Sequence, residues 1–156
     1  MSDSIRQRVH ALGLTLPTAS QPAANYINHV VSGNQLFISG QIPLLDGRPA
    51  YVGRVGDTLD DQQGAQAAEL AALSLLGQLS DALGDDLSRV VRIVKLGVFI
   101  ACTADFQRQS AVANGASNLL VNALGDKGQH VRTAVGVSSL PAGVAVEVDA
   151  IVELQP

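Results

Sequence analysis

VRTAVGVSSLPAGVAVEVDAIV, residues 131–152, is the stretch that decides the fold. It contains two runs of alternating residues, 131–137 and 144–152, and alternation is typical of strands whose successive side chains point to opposite faces of a sheet. Because only SSLPAG joins the runs, we predict that they pair as an antiparallel hairpin. We expect the core face to carry Val131, Thr133, Val135 and Val137 of the first run, and Val144, Val146, Val148, Ala150 and Val152 of the second.

Three further strands and two long helices are predicted ahead of this stretch. Residues 26–31 and 35–39 are predicted strands joined at Ser32-Gly33-Asn34, where glycine and asparagine tolerate the positive φ of a tight turn. A third strand, rich in β-branched residues, is predicted over 90–100. The smaller predictions are a short helix within 1–12, an extended segment over 13–24, a turn at Asp46-Gly47 and a short edge strand over 51–55.

Each long helix has recognisable ends. The first begins with a capping-box pattern at Thr58 and Asp61, and it ends at Gly84, a residue suited to the left-handed conformation just past a helix. The second begins at residue 103 or 104 and stops before Gly125. Both carry apolar residues at helical spacing, which indicates one buried face each.

The order ββ(β)αβαββ indicates an α+β fold in which two helices pack on one face of a mixed sheet. We expect a single domain over 1–156, with 1–23 as an N-terminal extension. One chain has no element left to cover the other sheet face, so the sequence predicts a homo-oligomer whose subunits meet there.

The composition excludes several classes of function. A net charge of −4 and a pI near 5.1, without a basic cluster, argue against a nucleic-acid partner. The single cysteine, Cys102, allows no internal disulfide, and three scattered histidines lack metal-ligand spacing, so no metal is expected. No apolar run has the length of a signal peptide or membrane span, and we therefore expect a cytoplasmic protein without a membrane partner.

Arg132 and Glu147 are the candidate catalytic pair. In the predicted hairpin they are neighbours on one face, whichever register the strands adopt. A guanidinium group binds a carboxylate through two parallel hydrogen bonds, and a nearby carboxyl group can orient water or transfer a proton. Spacing alone favours an exposed salt bridge, because such pairs are common on protein surfaces. The pattern therefore does not decide whether the two residues carry chemistry.

Two motifs resemble the reactive-intermediate deaminase (Rid, YjgF-like) family. The segment 132–148, RTAVGVSSLPAGVAVEV, is similar to the family's C-terminal signature, and SGQIP at 39–43 is similar to its other hallmark. Tyr26 and Asn114 stand at the positions of the family's pocket tyrosine and asparagine. The resemblance extends over roughly residues 24–154.

This resemblance implies a chorismate-mutase-like fold and a homotrimer with a cleft between neighbouring subunits. It implies hydrolysis of 2-aminoacrylate and related enamine or imine acids to 2-oxo acids and ammonia. No cofactor is expected, because an imine is already electrophilic. Arg132 is then expected to bind the carboxylate of a small substrate, and Glu147 to position water and help protonate the enamine carbon. The substrate-binding residues implied are Tyr26, Ser39, Gly40, Asn114 and Arg132.

The chain departs from the family pattern next to Arg132. His130 and Val131 replace residues of Pro or Ala type, and Ala134 replaces a common cysteine, which excludes thiol chemistry there. His130 is either a proton donor or a surface histidine at a strand end. Since the chain is also longer than compact members, it resembles a divergent subgroup. The alternative function is a regulatory trimer that binds small molecules without turnover, whereas the acidic pI argues against ribonuclease activity.

Overall fold

A five-stranded mixed sheet forms the centre of the computed structural model, which describes residues 3–156. The elements in chain order are α1 (Ile5–Ala11), β1 (His29–Ser32), β2 (Gln35–Gln41), β3 (Leu44–Leu45), β4 (Arg48–Pro49), α2 (Asp61–Leu83), β5 (Val90–Ala101), α3 (Gln109–Leu124), β6 (Val131–Val137) and β7 (Val146–Leu154). The short strands β3 and β4 pair with each other outside the main sheet.

The sheet order is β1-β2-β7-β5-β6, and only β5 and β6 are parallel. The predicted hairpin between the last two strands is therefore wrong, because β5 lies between them. Leu96 of β5 is paired with Arg132 on one side and with Ala150 on the other. Helix α3 supplies the crossover that a parallel pair requires, and the SSLPAG link then carries the chain past the end of β5.

Helices α2 and α3 both pack on one face of the sheet, as the sequence predicts. They also approach each other closely, since a β-carbon added to Gly115 of α3 would lie 2.8 Å from the carbonyl carbon of Ala65 in α2. Small residues at this crossing let the helices lie close together above an aliphatic core. Among the largest fully buried side chains are Leu75, Leu76, Leu79, Leu96, Ile100 and Leu120.

The opposite face of the sheet, here called the outer face, carries no α-helix within residues 3–156. Apolar side chains are exposed on it, including Val30, Phe37 and Val135, the last with 41% of its surface accessible. An exposed apolar sheet face of this kind is typical of a surface that another protein chain covers.

The predicted core face is correct for β7 and wrong for β6. Val144, Val146, Val148, Ala150 and Val152 are buried, whereas Val131 and Thr133 are exposed, and Val131 is 66% accessible. Pairing with β5 sets the orientation of β6, because Arg132 stands opposite Leu96, which points towards the helices. The helix-facing side of β6 therefore carries Arg132 and Ala134, and its valines point to the outer face.

Local boundary predictions have mixed outcomes. The β1–β2 hairpin with Gly33 at φ 62°, the turn at Asp46-Gly47 and the end of α2 at Gly84 are confirmed. Helix α2 is capped by Asp60 and Gln63 rather than by Thr58 and Asp61. In place of an edge strand, 51–55 forms only isolated bridges, and α3 begins at Gln109 rather than at 103 or 104.

Helix α1 accounts for most of the predicted N-terminal helix, of which Met1 and Ser2 lie outside the described residues. Ile5 and Val9 are fully buried against α2 and α3. The Asp85 carboxylate, just past α2, accepts hydrogen bonds from the Ser4 hydroxyl and the Arg6 amide. These contacts hold α1 against the helical layer.

Within residues 3–156 no helix is both long and apolar enough to cross a membrane.

Candidate active site

Arg132 lies on the helix-facing side of β6, and three groups of α3 hold its guanidinium. Its Nη1 donates to Asn114 Oδ1 at 2.9 Å and to Ser117 Oγ at 3.0 Å, and its Nη2 donates to the Ser110 carbonyl at 3.4 Å. The structure therefore brings together Arg132 and Asn114, two of the predicted site residues. Ser110, Asn114 and Ser117 are spaced four and three apart, so they share one face of the helix.

The contacts of Arg132 leave two of its five N–H donors without a partner within residues 3–156. Both protons of Nη1 are used by Asn114 and Ser117, while Nε makes no hydrogen bond within residues 3–156. A guanidinium has five N–H donors, so the Nε proton and one Nη2 proton remain. The Nε–Nη2 edge of a guanidinium matches the two oxygens of a carboxylate. The side chain of Arg132 is half-buried.

Ser117 is a contact of Arg132 that the sequence reasoning missed. Its hydroxyl also lies 2.9 Å from His130 Nε2, and His130 Nδ1 lies 2.6 Å from the Gly128 carbonyl. The available signal was the stripe of polar residues Ser110, Asn114 and Ser117 at helical spacing along one face of α3. His130 is half-buried and hydrogen-bonded, so it is neither free nor simply a surface histidine.

Glu147 lies on the outer face of β7, opposite Phe99 of β5. A β-bulge at Ser39 and Gly40 in β2 faces it, because Ile38 pairs with Ala150 while Gln41 already pairs with Val148. Gly40 provides the space for the carboxyl group, since a β-carbon there would lie 2.8 Å from Cδ of Glu147. Bulges often orient side chains next to functional sites in this way.

Burial raises the pKa of Glu147 above its ordinary value, and repulsion from the neighbouring Asp149 raises it further. Asp149 lies two residues along the same face, above Gly97, where a β-carbon would be 3.2 Å from its Cγ. Neither carboxylate accepts a hydrogen bond within residues 3–156. A carboxyl group in this environment keeps its proton to higher pH and is suited to general acid catalysis.

Ser39 and Asp149 line a cleft of about 310 Å³ on the outer face, next to the bulge that faces Glu147. The Ser39 hydroxyl is shielded from solvent and makes no hydrogen bond within residues 3–156. A buried hydroxyl without a partner is costly, so Ser39 is well placed to bind a ligand or a neighbouring chain. Asn28, Phe37 and Lys95 also line this cleft.

Tyr26 stands apart from the other predicted residues. It precedes β1 instead of lying within it, its side chain is 46% accessible, and its hydroxyl lies 3.4 Å from the Ala23 amide. It makes no hydrogen bond to Arg132, Asn114, Ser39 or Glu147. Its place in a pocket therefore stays a prediction.

Arg132 and Glu147 are not neighbours on one face, and that prediction is wrong for a single chain. Strand β5 separates them, and they lie on opposite sides of the sheet. The register explains the separation, since Arg132 is level with Leu96, a helix-facing residue, whereas Glu147 is level with Phe99 on the outer face. The candidate residues thus form two groups, Arg132 with Asn114, and Glu147 with Ser39 and Gly40.

The raised pKa of Glu147 predicts a pH-dependent stability. The folded-state pKa lies above the unfolded value, so the folded chain loses stability as pH rises from about the ordinary value of 4.5 through the folded pKa. We expect Glu147→Gln to raise Tm by about 1–3 °C at pH 7–8 and by nothing measurable at pH 3.5. Thermal unfolding followed by circular dichroism at both pH values measures this. An equal shift at the two pH values would contradict the assignment.

Comparison with known proteins agrees with this architecture along nearly the whole chain. A family model described as "YjgF/chorismate_mutase-like, putative endoribonuclease" matches residues 6–154. Protein TCP17 of Trypanosoma cruzi is 47% identical over 154 residues, which cover 98% of this chain and 96% of TCP17. The crystal structure of Atu1372 from Agrobacterium tumefaciens is 46% identical with a TM-score of 0.91, over 97% of this chain and 92% of Atu1372.

A third relative carries a regulatory name. AldR of Lactococcus lactis, named a "putative regulator", is 29% identical over 143 residues, which cover 90% of this chain and 97% of AldR.

The fold is α+β, with α2 and α3 on one face of a mixed sheet. Arg132 is hydrogen-bonded to α3. The chain belongs to the YjgF/chorismate-mutase-like family.

Proposed function

We propose that this chain is a hydrolytic deaminase of reactive enamine and imine acids of the 2-aminoacrylate type, acting as a homotrimer. The observation that carries the proposal is the guanidinium of Arg132, which is held by Asn114 and Ser117, while one donor on Nε and one on Nη2 have no partner within residues 3–156. We infer that these two donors form an open Nε–Nη2 edge. Such an edge selects a ligand with a carboxylate group. The acidic pI makes a local cation of this kind necessary for binding an anion.

The proposed chemistry needs one acid, one water molecule and no cofactor. Protonated Glu147 donates its proton to the terminal carbon of the enamine, which becomes an iminium ion. The resulting carboxylate accepts a proton from water as the water oxygen attacks the iminium carbon. Glu147 gives this proton to the nitrogen of the tetrahedral carbinolamine. Ammonia then leaves as the hydroxyl group returns its proton to Glu147, and the C–O bond becomes the carbonyl of a 2-oxo acid. The raised pKa of Glu147 supports its role as the first proton donor.

We further propose that Arg132 of one subunit acts with Glu147 of the next. In one chain β5 and the sheet itself separate the two residues, so a shared site needs a second copy. The exposed apolar outer face supports contact between copies, as does the position of β6 at the edge of the sheet. A closed ring of three subunits would repeat the same shared site three times.

The alternative is a regulatory trimer that binds the same acids without turnover. The regulatory name of the AldR relative favours it, because the chain matches nearly all of that protein. The family description also includes the words "putative endoribonuclease". Ribonuclease activity has less support than either function above, because a net charge of −4 without a basic cluster does not favour binding of the RNA backbone.

Trapping of 2-aminoacrylate tests the deaminase proposal. A serine dehydratase generates the enamine in the presence of semicarbazide, which captures what remains as a semicarbazone. We expect the chain to lower semicarbazone formation and to speed release of the 2-oxo acid. Equal trapping with and without the chain, together with calorimetric binding of 2-oxobutanoate, would instead establish the regulatory alternative. Equal trapping without binding would contradict both functions.

A further inference from the structure

A series of hydrogen bonds joins the Arg132 guanidinium through Ser117 and His130 to the Gly128 carbonyl. Ser117 lies between the two residues, with Oγ 3.0 Å from Arg132 Nη1 and 2.9 Å from His130 Nε2. His130 Nδ1 is in turn 2.6 Å from the Gly128 carbonyl, just before β6. Four groups from α3, β6 and the segment between them thus form one continuous series of hydrogen bonds.

For a neutral His130 ring, the chemistry of these groups gives the direction of each hydrogen bond. A carbonyl oxygen only accepts, so Nδ1 of His130 carries a proton and donates it to Gly128. In the neutral ring Nε2 is then an acceptor, and the Ser117 hydroxyl donates to it. This leaves the lone pairs of Ser117 Oγ for the guanidinium N–H of Arg132. The series therefore polarises the serine oxygen towards the cation.

We propose that His130 and Ser117 are positioning residues that hold Arg132 in the orientation that receives the substrate carboxylate. Without the serine, one Nη1 proton of Arg132 loses its acceptor, and the end of a long side chain gains freedom that binding must remove. His130 acts through Ser117, because an imidazole nitrogen that accepts from the hydroxyl fixes the hydroxyl rotor. Its ring directs no proton towards the open edge of Arg132, so it is not the proton donor.

The binding measurement for this inference rests on the proposed function. A second measurement, by NMR, does not depend on that function. Calorimetric titration with 2-oxobutanoate measures affinity. Nitrogen-15 NMR of Arg132 Nε and of the His130 ring nitrogens reports guanidinium mobility and tautomer in the free protein. In the wild type we expect His130 with Nδ1 protonated and Nε2 unprotonated, and a slowly rotating guanidinium.

Two substitutions of His130 distinguish the role of its Nε2, which contacts Ser117, from that of its Nδ1, which contacts Gly128. The terminal amide of His130→Gln reaches the place of Nε2 and can accept from Ser117, whereas His130→Asn places its amide near Nδ1 and reaches only Gly128. We expect Ser117→Ala, His130→Leu and His130→Asn each to weaken 2-oxobutanoate binding about 5- to 20-fold and to speed guanidinium rotation. We expect His130→Gln to stay within about 3-fold of wild type. The control His10→Leu removes an exposed histidine of α1 and leaves both readouts unchanged.

The possible outcomes distinguish this inference from the proposed function. If wild type binds 2-oxobutanoate and Ser117→Ala binds it equally well, with unchanged Arg132 mobility, the positioning role is wrong. Equal losses in His130→Gln and His130→Asn would also contradict it, since only overall packing would then matter. If wild type neither lowers semicarbazone trapping nor binds 2-oxobutanoate, the proposed function fails, yet faster guanidinium rotation in Ser117→Ala and His130→Asn, but not in His130→Gln, would still support the positioning role.

Discussion

Replacing Arg132 with alanine should lower 2-oxobutanoate affinity and enamine turnover by about 100-fold or more, because a two-point, charge-assisted contact contributes several kcal/mol where water competes little. The half-buried guanidinium offers its Nε–Nη2 edge, and Asn114 and Ser117 already hold the other side. Loss of the side chain removes the ligand contact and leaves all three acceptors of α3 without their donor. Calorimetry and the semicarbazide assay measure the two effects.

The matched control is Arg92→Ala, which removes an exposed arginine that pairs with Glu153 on the same sheet. We expect it to behave as wild type, because exposed ion pairs contribute little. Arg132→Lys keeps the charge but loses the two-point geometry, so it should recover only a small part of the affinity. If Arg132→Ala folds normally and retains wild-type binding and turnover, carboxylate recognition by this residue is wrong.

Replacing Glu147 with glutamine should reduce turnover by ~10²- to 10⁴-fold, the usual contribution of a positioned acid or base, with little change in 2-oxobutanoate affinity. Glutamine has nearly the same shape and keeps the fit against Gly40, so the substitution removes proton transfer and the titrating charge but not the packing. Glu153→Gln is the matched control, because Glu153 lies on the same outer face of β7 and pairs with the exposed Arg92. That control should retain most activity. Wild-type turnover by Glu147→Gln would refute its role as the acid.

Mixing these two inactive variants tests whether each site is shared between subunits. In a trimer assembled at random from equal amounts of Arg132→Ala and Glu147→Gln, an intact Arg132 meets an intact Glu147 from its neighbour in about a quarter of the sites. We therefore expect co-refolded variants to recover about a quarter of wild-type activity. Variants mixed without exchange of subunits are the control. No recovery after verified exchange would mean that Arg132 and Glu147 do not form shared sites.

Local signals predicted the elements well, because short-range chemistry determines them. Gly33 takes the positive φ of its turn, Gly84 ends α2, and the alternation in β7 separates buried from outward residues. In each case the residues that determine the conformation are adjacent in the chain. These predictions needed no knowledge of which strands are neighbours.

Strand order could not be read from the same signals. Alternation in β6 is equally compatible with pairing to β5 or to β7, and the link SSLPAG is short enough to suggest a hairpin. The core face of β6 was predicted wrongly from hydrophobicity. Val131 and Val135 are more apolar than Arg132 and Ala134, yet the two valines are exposed. Valines of an edge strand on an uncovered face are expected where a second chain packs, so the error follows from considering one chain alone.

The candidate site was predicted in part. The contact between Arg132 and Asn114 agrees with the family resemblance, but spacing in the sequence pointed to Glu147 as the partner of Arg132. Ser117 was missed because a serine within a helix is usually read as a surface residue. Only the three-dimensional packing of α3 next to the start of β6 shows that Ser117 contacts His130.

The central place of β7 has a consequence for how the chain reaches its native state. This strand is the last of the sheet to be synthesised, yet it joins β2 on one side and β5 on the other. Until it is inserted, the β1–β2 hairpin and the β5–α3–β6 unit share no backbone hydrogen bonds across the gap. Assembly of the sheet is therefore a late step that depends on contacts distant in sequence, and the Glu147 carboxyl group reaches its place beneath Gly40 only in that step.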